Sequence, residues 1–213
     1  MKRLGILLSG RGSNFLAIAE AIQGNRLLGA QIAIVLSNVA DAPGIVAAKE
    51  MGLPTAVVES RGRSRDEHDM EMIARLHQHK ADLVILAGYM RILSPRFIAE
   101  FPERILNIHP SLLPDFPGMH AHRDALAAGA KQSGCTVHFV DEQVDHGTII
   151  LQRSVPVLQG DTEESLAARV LEQEHIAYPE GIARVLSGQY ECRDGLYVRR
   201  DGKVSGVRKI MSI

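Results

Sequence analysis

The sequence predicts an α/β fold, an open, mostly parallel, twisted sheet with helices on both faces. Two patterns carry this reading. Strand-length apolar runs alternate with longer amphipathic ones through the first half of the chain, and the strand runs are apolar almost without interruption. Unbroken apolar strands are those buried on both faces, which a parallel sheet between two helical layers provides. A chain of 213 residues buries roughly 70% of its unfolded surface on folding, so one domain over residues 1–213 is expected.

Taken in order, LGILLS (4–9), QIAIVLS (31–37), TAVVES (55–60) and DLVILAG (82–88) read as strands. Between them FLAIAEAIQG (15–24), GIVAAKEMG (44–52) and EHDMEMIARLHQHK (67–80) carry helical spacing. Gly24, Gly52 and Pro54 mark helix ends, and Asp66 is the expected cap of the third helix. ILNIH (105–109) and CTVHFV (135–140) continue the strands. GTIILQRSVPVL (147–158) reads as one long strand with Pro156 near its end. Residues 161–188 read as a long helix capped by Asp161 or Thr162, which Pro179 should kink or divide. Asp-Gly pairs at 194 and 201 predict a hairpin in the tail.

Charge and cysteine content narrow the function classes. Lys+Arg is 24 and Asp+Glu 25, a net charge of −1, and no like-charged block suits a nucleic-acid arm or a membrane face. Partners are expected to be small molecules. Cys135 and Cys192 are the only cysteines; they lack metal-ligand spacing and are too few for a secreted disulfide framework. The N-terminal apolar run is interrupted before signal-peptide length, and nothing approaches the ~20 apolar residues of a membrane span. The expected compartment is the cytoplasm.

Several stretches carry candidate chemistry. SGRGSN (9–14) follows the first strand and opens a helix. Gly10 and Gly12 permit a tight turn, and Ser13 and Asn14 would aim free amides at an anion. The stretch fits neither a dinucleotide fingerprint nor a Walker loop, and glycines at a first βα turn also serve geometry alone. In RILNIHPSLLP (104–114) strand alternation puts Ile105, Asn107 and His109 on one face, with the two polar residues roughly 7 Å apart at the strand's C-terminal end. An amide beside an imidazole suits oxyanion stabilisation and proton transfer; the same pair also suits bracing of the proline-rich loop. Asp145 lies in a polar loop, where it is either a turn cap or, if the fold brings it to His109, a carboxylate that raises the imidazole pKa.

Weaker signals follow. Leu166, Val170 and Glu174 stand at i, i+4 and i+8, so that a carboxylate ends an apolar stripe and either binds a ligand or snorkels to solvent. GYMRILSP (88–95) follows the fourth strand and reads as pocket lining marked by Arg91, or as core. His120 and His122 have poor spacing for a metal pair and no evident third ligand, so no metal is expected.

Five stretches in register, LLSGRGSNF, LAGYMRILSP, LNIHPSLLPDFPGMHAHRDAL, GCTVHFVDEQVDHGTIILQ and EQEHIAYP, run from residue 7 to about 179. Together they resemble the phosphoribosylglycinamide formyltransferases, the folate-dependent glycinamide ribonucleotide transformylases of purine synthesis. The resemblance implies a Rossmann-like half over residues 1–100, a folate and catalytic half with the long helix over 101–188, and a C-terminal hairpin over 189–213. It implies glycinamide ribonucleotide and 10-formyltetrahydrofolate as substrates, with Asn107, His109 and Asp145 as the catalytic set. The substrate phosphate would lie at Gly12, Ser13 and Asn14, and its ribose at Glu174. The folate would meet Met90, Arg91, Ile92, Leu93, Asn107 and Asp141, with Arg65 near its tail, although Arg61 and Arg63 compete for that role. A cis peptide at Leu113-Pro114 is also implied. His146 stands where the resemblance implies a small residue. A monomer or weak homodimer is expected.

Three other readings compete. A formyltetrahydrofolate hydrolase shares the catalytic logic but resembles this chain with an added N-terminal domain, for which a first strand beginning by residue 3 leaves no room. A methionyl-tRNA formyltransferase carries a further basic domain, which the short tail and the net charge argue against. A non-catalytic nucleotide-binding module needs none of Asn107, His109 and Asp145.

Overall fold

The computed structural model describes residues 1–193 and 196–201. Four strands, β1 (Lys2–Leu8), β2 (Ala30–Ser37), β3 (Thr55–Val57) and β4 (Leu83–Leu86), alternate with the helices α1 (Ser13–Gln23), α2 (Pro43–Glu50) and α3 (Arg65–Gln78). Then come α4 (Pro95–Glu100), β5 (Ile105–His109), α5 (Ala121–Ala127), β6 (Gln132–Phe139), β7 (Ile149–Pro156), the long α6 (Glu163–Leu186), and the pair β8 (Tyr190–Arg193) and β9 (Leu196–Arg199). The short helices α4 and α5 go beyond the sequence reading; at six and seven residues they have too few turns to show a period.

The nine strands among the described residues form one open sheet in the order β3-β2-β1-β4-β5-β6-β7-β9-β8. β1 to β5 are mutually parallel, whereas β6 runs antiparallel to both β5 and β7. The sheet is therefore mostly parallel, as expected, with a mixed outer third. β8 and β9 pair antiparallel, and β9 joins β7 at Ile149 and Leu196. β8 and β9 thus pair as the expected hairpin; residues 194 and 195 between them, and Gly202 of the second Asp-Gly pair, lie outside the described residues.

Two apolar layers flank the sheet. One packs Leu4, Ile6, Leu106, Ile108 and Val137 beneath α1, α2 and α6, with Phe15, Ile18, Ile45 and Tyr178 among the contacts. The other packs Leu7, Val84, Leu86 and Ile105 beneath α3 and α4 through Met72, Leu76 and Phe97. Alternation along each strand feeds both layers, which is why the strands read as continuously apolar.

Two helix details differ from expectation. Ser64, not Asp66, caps α3: its side chain accepts from the Glu67 amide while Glu67 accepts from the Ser64 amide, a reciprocal box that satisfies two otherwise orphaned donors. α6 runs unbroken through Pro179, which is buried within it. Gly181 lets this helix approach β6, since a Cβ there would lie 2.7 Å from the Val137 side chain. Burial of Leu166, Val170, Ala177, Tyr178 and Ile182 outweighs the single backbone hydrogen bond a proline forfeits.

Candidate active site

β1 and β4 are adjacent in the sheet while their chain neighbours lead to opposite sides, so the loops after them border the crevice where open α/β sheets bind ligands. After β1 the chain turns at Gly12, whose φ of 71° and approach to Gly44 (2.8 Å from an added Cβ) admit no side chain. Gly12 occupies the N-cap of α1 without contributing a side-chain cap, leaving the first-turn amides of Ser13, Asn14 and Phe15 without intrahelical partners. Asn14 is buried, and its Nδ2 donates to Glu174 Oε2 at 2.7 Å, joining α1 to α6 across 160 residues. Glu174 does not snorkel: it is 8% exposed, and burial pushes its carboxyl above the ordinary range. Asn14 Oδ1 is buried without a partner.

At the end of β5 the polar pair meets its carboxylate. His109 Nδ1 lies 3.2 Å from Asp145 Oδ2, and Nε2 lies 2.9 Å from the Phe116 carbonyl oxygen. Both ring nitrogens face oxygens, a setting that a doubly protonated imidazole satisfies with two donated hydrogen bonds. Asp145 Oδ2 also accepts from the Gly118 amide at 2.9 Å. Asp145 gets there by reversal of the chain. Because β6 is antiparallel to β5, Phe139 pairs with Leu106 at the far end of β5. The connection to β7 must travel back roughly 10 Å, three residues of strand, to reach His109. A left-handed backbone at Asp145 (φ 53°) is part of that return.

The antiparallel register adds a residue that the sequence reading missed. His138 stands directly opposite Asn107. Its Nδ1 lies 2.7 Å from the Phe139 carbonyl and so carries the proton, and burial holds the ring below its usual pKa and neutral. Nε2 is then an acceptor, 3.2 Å from Asn107 Nδ2, which orients the amide and leaves its second N–H free for the site. His138 Nε2 also lies 3.8 Å from Asp145 Oδ1. The signal was present in CTVHFV, where Thr136 and His138 alternate with apolar neighbours. Thr136 braces the proline loop, since its Oγ1 accepts from the Leu113 amide and donates to the Ser111 carbonyl. The Leu113-Pro114 bond is cis.

The remaining candidates lie on the loop after β4, on the loop between β6 and β7, and in or just before the start of α3. Met90 and Ile92 are exposed at 72% and 59%, while Leu93 is buried and Arg91 half-buried. Asp141 sits in the loop that carries Asp145 and pairs with His146 at 2.9 Å. Arg65 opens α3 in an exposed position; Arg63 is occupied by Glu71 at 2.8 Å, and Arg61 is exposed. Among the described residues no cluster of three His, Cys, Asp or Glu is placed to hold a metal ion. No described helix is long and apolar enough to cross a membrane.

The formyl transferase family model matches residues 2–182. The chain is 44% identical over 190 residues to phosphoribosylglycinamide formyltransferase of Escherichia coli K12, covering 89% of each. It is 45% identical over 189 residues to the trifunctional purine biosynthetic protein adenosine-3 of Drosophila pseudoobscura pseudoobscura, spanning 88% of this chain and 14% of that longer one. The crystal structure of glycinamide ribonucleotide transformylase 1 from Symbiobacterium toebii superposes with a TM-score of 0.90 at 44% identity, covering 93% of this chain and 94% of that one. A shared fold, a family match over most of the length and this degree of identity lead to one conclusion: the chain belongs to the formyl transferase family.

Proposed function

We propose that the protein transfers the formyl group of 10-formyltetrahydrofolate to the amino group of glycinamide ribonucleotide, a step of purine synthesis. The observation that carries this reading is the meeting of Asn107, His109 and Asp145, from two distant segments, at the sheet edge where β1 also leads into an anion-ready helix start. Phosphate binding alone needs no such trio. The substrate phosphate takes the amides at Gly12, Ser13 and Asn14, and Glu174 accepts from the ribose hydroxyls. The pterin takes the apolar rim of Met90, Arg91, Ile92 and Leu93 and the loop through Asp141, with Arg65 toward the anionic tail. The co-substrate is consumed rather than resident, and no metal takes part.

The amine attacks the formyl carbon and the carbonyl electrons move onto oxygen. Asn107, its amide oriented by His138, donates one hydrogen bond to that oxyanion, and protonated His109, its two N–H groups engaged by Asp145 and the Phe116 carbonyl oxygen, stabilises it through its positive charge. The Asp145 carboxylate holds the imidazolium and, through water, passes a proton from the attacking nitrogen to the departing folate nitrogen. Collapse of the tetrahedral intermediate breaks the bond to folate. Removal of one oxyanion donor typically lowers turnover ~10²- to 10³-fold. Residues 1–213 work as one domain in the cytoplasm, as a monomer or weak homodimer.

The test follows deformylation of 10-formyltetrahydrofolate by absorbance with and without glycinamide ribonucleotide. Turnover that requires the ribonucleotide is expected. Turnover without it makes the protein a hydrolase, and binding of both ligands without turnover makes it a non-catalytic module.

A further inference from the structure

Residues 88–94 are tied to the body of the protein at three backbone points. The Gly88 carbonyl accepts from the Ser9 amide at 3.0 Å, the Met90 amide donates to Ser9 Oγ at 2.8 Å, and the Ser94 amide donates to Asp69 Oδ2 at 2.6 Å. Only the third tie ends on a carboxylate. Charge-assisted hydrogen bonds are shorter and about twice as strong as neutral ones.

Asp69 lies on α3 and is 2% exposed, a position where an isolated carboxylate is costly. Its second oxygen, Oδ1, lies 3.4 Å from Nδ1 of the fully buried His68, whose Nε2 lies 2.9 Å from the Val58 carbonyl oxygen. A polar chain Val58–His68–Asp69–Ser94 therefore runs inside the protein, apart from the catalytic set. Asp69 reaches the same loop a second way: together with burial, its charge pushes the Tyr89 phenol up. A buried polar pair is a weak source of stability, since apolar residues of the same volume often do as well. What this pair does is hold one backbone amide.

We infer that Asp69, braced by His68, is a positioning residue for folate: by fixing the Ser94 amide at the N-cap of α4, it sets where Met90, Arg91 and Ile92 stand over the pocket. The inference rests on the proposed reading of that loop as the pterin site. Ser94 and Leu93 are buried and Met90 and Ile92 project, so the loop is a fixed base with an exposed rim. Displacing the base moves the rim at its Ser94 end, while the ties of Gly88 and Met90 to Ser9, beside the phosphate turn, stay in place.

The test uses the full chain and measures kcat and both KM values for Asp69→Ala and Asp69→Asn, with hydrogen exchange over residues 88–94. Asp69→Ala is expected to raise the KM for 10-formyltetrahydrofolate about tenfold, with faster exchange in the loop and little change in kcat or in the KM for glycinamide ribonucleotide. Asp69→Asn keeps an oxygen for the Ser94 amide and is expected to recover most of the loss. Equal rises in both KM values, or an unchanged folate KM in folded Asp69→Ala, overturn the inference. If Asp69→Ala does not fold, exchange in the unaltered protein decides: a Ser94 amide exchanging like an exposed loop amide overturns the inference, and a protected one supports it. Absence of ribonucleotide-dependent turnover in the unaltered protein would instead overturn the transferase reading, and is seen before any variant is compared.

Discussion

Two buried histidine–aspartate pairs within hydrogen-bonding reach stand among the described residues, and they differ in what surrounds them rather than in what they are. His109 and Asp145 are 3.2 Å apart with side chains 6% and 10% exposed; His68 and Asp69 are 3.4 Å apart with side chains 0% and 2% exposed. The second pair comes from one helix and is enclosed: its outer partners are the Val58 carbonyl and the Ser94 amide. The first is assembled by a chain reversal and borders Asn107 and His138, at the edge where open sheets bind ligands. A pair enclosed by the backbone transmits position. A pair assembled at the crevice can exchange a proton with something that arrives.

The comparison breaks most directly by substitution at the reactive pair. His109→Ala and Asp145→Ala are each expected to lower kcat ~10²- to 10⁴-fold with thermal unfolding little changed, because neither side chain is part of the two apolar layers. An active His109→Ala protein would end the proposed mechanism. Next in size is the orienting residue. His138→Ala leaves the Asn107 amide free to rotate and is expected to lower kcat ~10- to 10²-fold without moving the KM for glycinamide ribonucleotide, which steady-state kinetics on both substrates would show. If His138→Ala raised both KM values at unchanged kcat, its role would be packing.

Much of this was legible in the sequence, for local reasons. The parallel half follows from runs of strand length between amphipathic helices, and the shared face of Asn107 and His109 follows from strand alternation alone. What was not legible is long-range. Nothing local announces that β6 runs antiparallel, so neither the return of Asp145 to His109 nor the pairing of His138 with Asn107 could be derived without a resemblance. The cap of α3 is a different case. Ser64 and Glu67 form a readable box, and Asp66 drew attention because an acidic residue in the first turn looks like a cap. Pro179 does not divide α6, because intrinsic preference gives way to burial on both sides of it.

Glu174 extends the comparison to a buried carboxylate with an amide partner in place of a histidine. Burial pushes its pKa above the ordinary carboxylate value, so the folded chain holds this proton to higher pH than the unfolded chain does. The stability this contributes is complete below the ordinary value and is lost as pH rises through the raised one. Glu174→Gln escapes that loss. The variant is expected to melt about 1–4 °C higher than the unaltered protein at neutral pH, with the difference vanishing in acid. Its KM for glycinamide ribonucleotide should rise about tenfold, a charge-assisted hydrogen bond being replaced by a neutral one. A lower melting temperature for Glu174→Gln at neutral pH would show that the ionised carboxylate is compensated within the fold.

The smallest effect belongs to a third histidine–aspartate pair, His146 with Asp141, at 2.9 Å the shortest of the three yet 62% and 43% exposed. Distance alone would rank it first, whereas exposure ranks it last, because water screens the pair and each partner is well solvated apart. Asp141 also accepts from the Gln143 amide, so the loop keeps an internal tie when the histidine is removed. His146→Gly is therefore expected to change kcat and the folate KM by no more than about twofold, and to do so less in high salt than in low. Kinetics at two ionic strengths would check this. A change as large as that of Asp145→Ala would mean that the loop's return to His109 depends on the surface pair, and the division between enclosed, reactive and solvated pairs would then fail at its simplest member.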